Sequence, residues 1–202
     1  MSNRIGPLRR EDWDDAAREI FAYWEGDEAR ENGSRSNTMM VLANHPALAK
    51  VSLDLGRYFM LESALSARQI KLIILRVAHR YNSVYQWTHN SHGARQIGVS
   101  EAEIEAVKTG PAAEIWSIED RLLLAAVDAT STGGAIDDAL WNQLAATFDK
   151  RFIMDLIHAA GYFTMVAWTL VALQVEIEPD FADFSQNRAK DSAASSARTG
   201  NE

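Results

Sequence analysis

Cysteine is absent from all 202 residues. That excludes disulfides, thiolate metal ligation and thiol redox chemistry together. Only four prolines and 11 glycines punctuate the chain, leaving long stretches without a helix breaker. Extended basic runs are missing as well: no more than two Lys or Arg residues stand together, and the formal net charge is −8. Such a chain offers no surface for tracking a phosphate backbone, so nucleic acid is not expected as a partner. There is no Gly-rich phosphate loop, no Gly-x-Ser-x-Gly elbow and no alternation of strand and helix patterns. The opening "MSNRIGPLRREDWDD" has no apolar h-region, which reads against a secretory signal; a cytoplasmic protein is expected.

What is present is hydrophobic residue at helical spacing. Hydrophobic residues make up 47% of the chain and charged ones 24%, enough to bury a core without staples. Trp13, Ala16, Ala17, Ile20, Phe21 and Trp24 mark one amphipathic helix. "EGDEARENGSRSN", Glu25 to Asn37, reads as a loop, and Pro46 opens the next helix. Ser66 with Gln69 and Ser100 with Glu103 are capping-box pairs. The first introduces "IKLIILRVAHRY", apolar on nearly every side and expected at the centre of the fold. A helix from about Val84, capped by Asn82 or Ser83, should run to Ile97 and stop at Gly98. Further helices are expected in "SIEDRLLLAAVDATSTGG" and "DDALWNQLAATF". Phe152 to Val175 is long enough to span a bilayer, but Asp155, His158 and Gln174 interrupt it, so a helix buried in a core or subunit interface is expected instead. The fold class is all-α, with one domain over residues 1–183 and a mobile tail over 184–202.

The stretch "SVYQWTHNSHG" holds the densest set of chemical groups. On a helix, Tyr85, His89 and His92 share a face about 60° wide, with Gln86, Asn90 and Gly93 beside it and Trp87 pointing elsewhere. Three readings compete. A metal site would use His89 and His92 but lacks a third ligand nearby; His45, His79 and His158 join only by tertiary placement. Acid–base catalysis suits an imidazole in a partly closed pocket. Satisfied histidines could also line a polar seam between helices. Lys71 interrupts a very apolar helix and is a candidate anchor for a substrate carboxylate. Arg76 reads as a structural ion pair, and Asp155 with His158, one turn apart, as a local pair.

"LSARQIKLIILRVAHRYNSVYQWTHNSHGARQIGVSEAEIEAV" resembles the signature of the carboxymuconolactone decarboxylase / alkylhydroperoxidase-D-like family. "RIGPLRREDWDDAAREIF", "ANHPALAKVSLDLGRYFMLESALS" and "IHAAGYFTMVAWTLVALQVEIEP" resemble the flanking parts of its single-repeat members. The resemblance covers about Arg4 to Pro179. It implies an alkylhydroperoxidase-D-like helical bundle that self-associates as dimer, trimer or hexamer, in keeping with helices too apolar to stand alone.

Peroxidase members of that family use a glutamate, then Cys-x-x-Cys-x-x-x-His; in this register those positions fall on Lys71, Ser83, Gln86 and Asn90. All four depart from the pattern, and without thiols peroxide reduction through a disulfide is impossible. Decarboxylase-like members keep a glutamate and a histidine near Gln86 and Asn90, where this chain has amides that do not exchange protons at useful pH. The expected function is therefore a cofactor-free lyase or isomerase, of the kind found in aromatic catabolism, acting on a small acid or lactone. His89 would be its acid–base group, with His92 or Tyr85 assisting. Lys71, Gln86, Asn90 and Ser83 would bind substrate. A cation about 6 Å from His89 interacts by roughly 2–3 kcal/mol at an effective ε of 20, favouring the neutral imidazole. The alternative is a non-catalytic oligomeric relative that binds a ligand or acts as a scaffold. No resident metal or membrane contact is expected.

Overall fold

The computed structural model describes residues 4–179 and 181, and these contain ten α-helices and no strand. The expected tail over 184–202 lies outside the described residues. Contacts divide the chain into two compact units, one up to Pro46 together with the residues from Val175, the other Ala47–Gln174.

In the first unit, Asp14 caps α1 (Asp15–Glu25) by accepting from the Ala17 amide at 2.8 Å. Trp13, read from its spacing as part of that helix, lies just outside it. Its indole N–H donates to the Leu8 carbonyl at 3.1 Å, and its ring meets Phe21 edge-on at 5.1 Å. The same ring lies where a Cβ on Gly33 would stand, and Gly33 has φ +78°, so glycine is required there twice over. The stretch expected to be a loop contains a helix of barely more than a turn, α2 (Glu28–Asn32), bracketed by Gly26 and Gly33. Arg30 holds it through Asp27 and Glu19, a pairing that local polarity conceals. α3 (Asn37–Leu42) follows. Its Asn37 amide donates to the Glu178 carboxylate at 2.6 Å, and its side chain to the Glu176 carbonyl at 2.8 Å.

The second unit holds α4 (Pro46–Leu61) from its second residue on, α5 (Ala67–Arg80), α6 (Val84–Gln96), α7 (Glu101–Thr109), α8 (Ile118–Gly133), α9 (Asp138–Thr147) and α10 (Lys150–Leu173). Both capping boxes form, at Ser66–Gln69 and Ser100–Glu103. As its sequence requires, α5 is central: Ile70 and every residue from Leu72 to Ala78 are buried. It packs against α6, α7, α8 and α10. Arg76 is buried with them, and its guanidinium donates to both carboxylate oxygens of Asp128 at 2.7 Å and to the Val107 and Lys108 carbonyls at 2.8 Å. The expected structural ion pair is thus a clamp joining α5 to α8 and to the end of α7.

The long apolar segment forms α10, long and apolar enough by composition to cross a membrane. One face packs into the core through Phe152, Leu156, Ala159, Ala160, Phe163 and Ala167. Asp155 is also on that face, accepting from the Tyr58 hydroxyl at 2.8 Å and the Ala64 amide at 2.7 Å. The expected Asp155–His158 pair does not form. Both Asp155 oxygens are taken by Tyr58 and Ala64, and His158, exposed, bonds the Met154 carbonyl through Nδ1 instead.

Candidate functional site

The site grows from the α5–α6 hairpin. Val77 and Ala78 carbonyls accept from the Tyr81 and Ser83 amides, and Asn82 turns the chain at φ 52°, a left-handed conformation that Asn tolerates better than most residues. α6 then returns along α5, so residues early in α5 meet residues late in α6.

That antiparallel return places Lys71 beside Asn90 and Gly93. Lys71 Nζ donates to Asn90 Oδ1 at 2.8 Å, and a Cβ on Gly93 would lie 3.0 Å from Nζ. Asn90 in turn donates to the Gln86 carbonyl at 2.9 Å. The Gln86 side chain is buried between α6 and α10, donating to the Phe163 carbonyl at 3.3 Å, while its Oε1 has no hydrogen-bond partner. Among the described residues no carboxylate bonds or pairs with Lys71. Burial lowers the pKa of this ammonium below its usual value, with no carboxylate to hold it up. A half-buried cation satisfied by a neutral amide is poised to accept an anion.

The imidazoles occupy the next stripe of α6. Successive residues turn by about 100°, so His89 sits a quarter-turn round from Asn90. His89 stacks on Tyr85, ring centroids 4.1 Å apart and planes 28° from parallel. His92 bonds the Gln96 amide through Nε2 at 3.0 Å. Tyr85 is buried; His89 and His92 are half-buried. The structure therefore joins Lys71 with Asn90 directly, Asn90 with the Gln86 backbone carbonyl, and Tyr85 with His89. Among the described residues no three His, Asp or Glu side chains converge as a metal-binding group.

Ser83 stands at the N-cap of α6, two turns from Asn90, buried and with its hydroxyl unpartnered. It lines a groove with His79, Trp87 and Lys108 rather than the Lys71–Asn90 contact. Sequence reading missed His79 and Lys108 as neighbours of Trp87. The one local signal was an Asn-Ser turn opening a helix that has no acidic residue in its first turn.

The profile of the Carboxymuconolactone decarboxylase family matches residues 46–129. No curated protein sequence matches the chain. Among solved structures, the debrominase Bmp8, crystallised as a cysteine-to-alanine variant with 2,3,4-tribromopyrrole, superposes with TM-score 0.73 at 16% identity, covering 93% of this chain and 98% of that one. An uncharacterised peroxidase-related protein from Silicibacter sp. gives TM-score 0.73 at 19% identity, covering 88% and 94%. A peroxidase-related protein from Ralstonia eutropha, described as an alkylhydroperoxidase AhpD core, gives 0.72 at 14% identity, covering 89% and 94%. At these identities the likeness establishes the fold: an AhpD-like helical bundle.

Proposed function

We propose that this chain, residues 46–129 of which match the profile of the carboxymuconolactone decarboxylase family, is a cofactor-free enzyme acting on a small acid or lactone by proton transfer. The observation that carries the reading is Lys71: an ammonium half-buried against Gly93, held by the Asn90 amide and, among the described residues, without a carboxylate partner. Lys71 would anchor the substrate carboxylate or lactone oxygen. Asn90 and Gln86 would orient it. His89, braced by Tyr85, would take a proton from carbon and return it, with His92 assisting. In a decarboxylation the bond to the carboxylate breaks, carbon dioxide leaves and the electron pair moves onto a conjugated carbonyl oxygen. Lys71 and the amides stabilise that oxygen before the proton is delivered to carbon. The chain has no cysteine, so the chemistry is not that of a thiol peroxidase.

Self-association belongs to the same proposal. On α10 the exposed positions Met154, His158, Gly161, Met165, Trp168 and Val171 recur at steps of four and three residues, the spacing of a helix–helix seam. A second copy is the occupant this seam fits.

The test is a panel of small unsaturated lactone carboxylates in D2O, followed by NMR for deuterium uptake at carbon and for loss of carboxylate. H89A should lower turnover 10²–10⁴-fold, and K71M should remove saturation by the anionic substrate. K71M carries a second expectation. Replacing a desolvated ammonium by an apolar side chain of similar length removes a folding cost, so its Tm should rise while activity is lost. Binding of the panel without exchange or turnover would favour the non-catalytic, ligand-binding reading. Unchanged turnover in both variants would remove the site.

A further inference from the structure

The lysines of this chain fall into two kinds. Lys50 pairs with Asp54 at 2.9 Å and Lys108 with Glu105 at 2.6 Å, both with exposed side chains, and Lys150 is exposed at the start of α10. Among the described residues Lys71 alone is a half-buried lysine. Its Nζ bonds Asn90 Oδ1 at 2.8 Å. The surroundings are neutral as well as enclosed: burial is what pushes this group below its usual pKa, and no charged side chain acts on it.

That setting changes what the nitrogen can do. An ammonium has no lone pair, and in water a lysine is almost wholly protonated at neutral pH. Desolvation with no carboxylate to offset it enlarges the share of free amine, and a desolvated lysine amine is a nucleophile toward carbonyl carbon. The geometry serves the same end. Asn90 Oδ1 takes one N–H and fixes Nζ, so the lone pair of the free amine is directed away from that bond. Gly93 leaves the end of the side chain uncrowded, since a Cβ there would lie 3.0 Å from Nζ and 3.2 Å from Cε. Glycine inside a helix is less stable than alanine, and room at the amine is what this one provides. Lys71 keeps part of its surface exposed, so a small solute reaches it.

We propose that Lys71 forms an imine with a small uncharged aldehyde or ketone. The amine lone pair attacks the carbonyl carbon, a C–N bond forms, and the π pair moves onto oxygen. Nitrogen gives up one proton and oxygen gains one through solvent water. The carbinolamine then loses its hydroxyl, with the second nitrogen proton, as water, leaving C=N. Amine and carbonyl thus give imine and water, with no oxidant or reductant. An uncharged carbonyl compound is the class that fits, because no second cation acts beside Lys71 to hold a carboxylate once the lysine's own charge is lost. The step rests on the same Lys71 site as the preceding proposal but needs neither His89 nor an anionic ligand. Glutamate, which the peroxidase pattern has at this position, has no amine with which to perform it.

The experiment treats the full-length protein with limiting propionaldehyde and sodium cyanoborohydride at pH 7. The reagent delivers hydride to the imine carbon and leaves a stable propyl amine, which is mapped by peptide mass spectrometry. Lys71 is expected to be modified at least ten-fold faster than Lys50, Lys108 or Lys150, a ranking read within the wild-type protein. N90D sets a carboxylate against Nζ and holds the ammonium charged. It should slow modification of Lys71 ten-fold or more, with Lys50 unchanged and the fold checked by circular dichroism. H89A should be modified at the wild-type rate. Modification of Lys71 no faster than that of the exposed lysines would overturn the proposal. So would an unchanged rate in folded N90D, or loss of the adduct in H89A. An absent adduct alongside K71M-sensitive saturation by lactone carboxylates would overturn the imine and leave the anchoring role standing. An adduct without turnover of those lactones would support the imine and overturn the proton-transfer reading.

Discussion

Arg68, Lys71 and Arg76 rise from the same helix, yet their surroundings assign them different work. Arg76 spends its guanidinium on Asp128 and two carbonyls, using the planar fork that lysine lacks. Arg68 reaches Asp120 at 2.7 Å and Glu103 at 2.6 Å, tying the start of α5 to the starts of α7 and α8. Only Lys71 ends on a neutral amide. The contrast is the residue-scale argument for a binding role, since Arg68 and Arg76 on the same helix are finished with carboxylates. The Arg68 network also sets a pH response. Burial alone would raise the Glu103 carboxyl, but hydrogen bonds from Ser100 and Arg68 bring it down to about 2. A carboxyl depressed in the folded state contributes stability that is fully present above its unfolded value near 4.5 and is lost as pH falls toward 2. E103Q, which keeps an acceptor for the Ser100 amide, should therefore lower Tm at pH 7. It should also flatten the decline of Tm between pH 4.5 and 2, followed by thermal scans across that range. A parallel acid limb in wild type and E103Q would show that Glu103 is not coupled to folding.

Elements were legible in proportion to how local their causes are. The capping boxes at Ser66 and Ser100, the proline opening α4 and the apolar run of α5 all act within a turn or two of chain, and each element forms where its signals stand. α2 was hidden because Arg30 stabilises it through Glu19, a residue on another helix. Trp13 carried the right spacing and the wrong assignment, because a 3-10 turn at Arg10–Asp12 precedes it and the cap falls at Asp14. The candidate site divides the same way. Tyr85 and His89, four apart on one helix, were readable as neighbours. The pairing of Lys71 with Asn90, and the gathering of His79, Trp87 and Lys108, depend on how α5, α6 and α7 are rotated against one another, which no local pattern specifies. The outer stripe of α10 belongs to this scale as well. Trp168 is 57% exposed and Met154 61%, large apolar groups on a helix whose other face is core. W168E and M154E together should shift the protein to a smaller species by size-exclusion chromatography with light scattering, while leaving helicity by circular dichroism unchanged. An identical mass for wild type and the double variant would place any contact between copies elsewhere.

For the molecule as a whole, the family match and the folding unit have different boundaries. The match ends at residue 129, but the core that includes α5 is not closed by what precedes that point. Leu144 of α9 and Phe152, Ile153, Leu156, Ala159, Ala160, Phe163 and Ala167 of α10 are part of the same buried cluster as Ile70, Leu72 and Leu75 of α5 and Leu123, Leu124 and Val127 of α8. Removing them would strip one wall from the most apolar helix in the chain, and burying a single large aliphatic or aromatic side chain is worth roughly 1.5–3 kcal/mol. Several such losses exceed the net stability of an ordinary domain, about 5–15 kcal/mol. The unit Ala47–Gln174 has a complete core of its own and a length at which independent folding is ordinary. Fragment 47–174 is therefore expected to give a helical spectrum and a cooperative calorimetric melt, and fragment 47–129 a broad, non-cooperative one with exposed apolar surface that binds ANS. A cooperative melt for 47–129 would mean that α10 lies on a core already sufficient without it. A non-cooperative melt for 47–174 would mean that the second unit needs residues outside itself to fold.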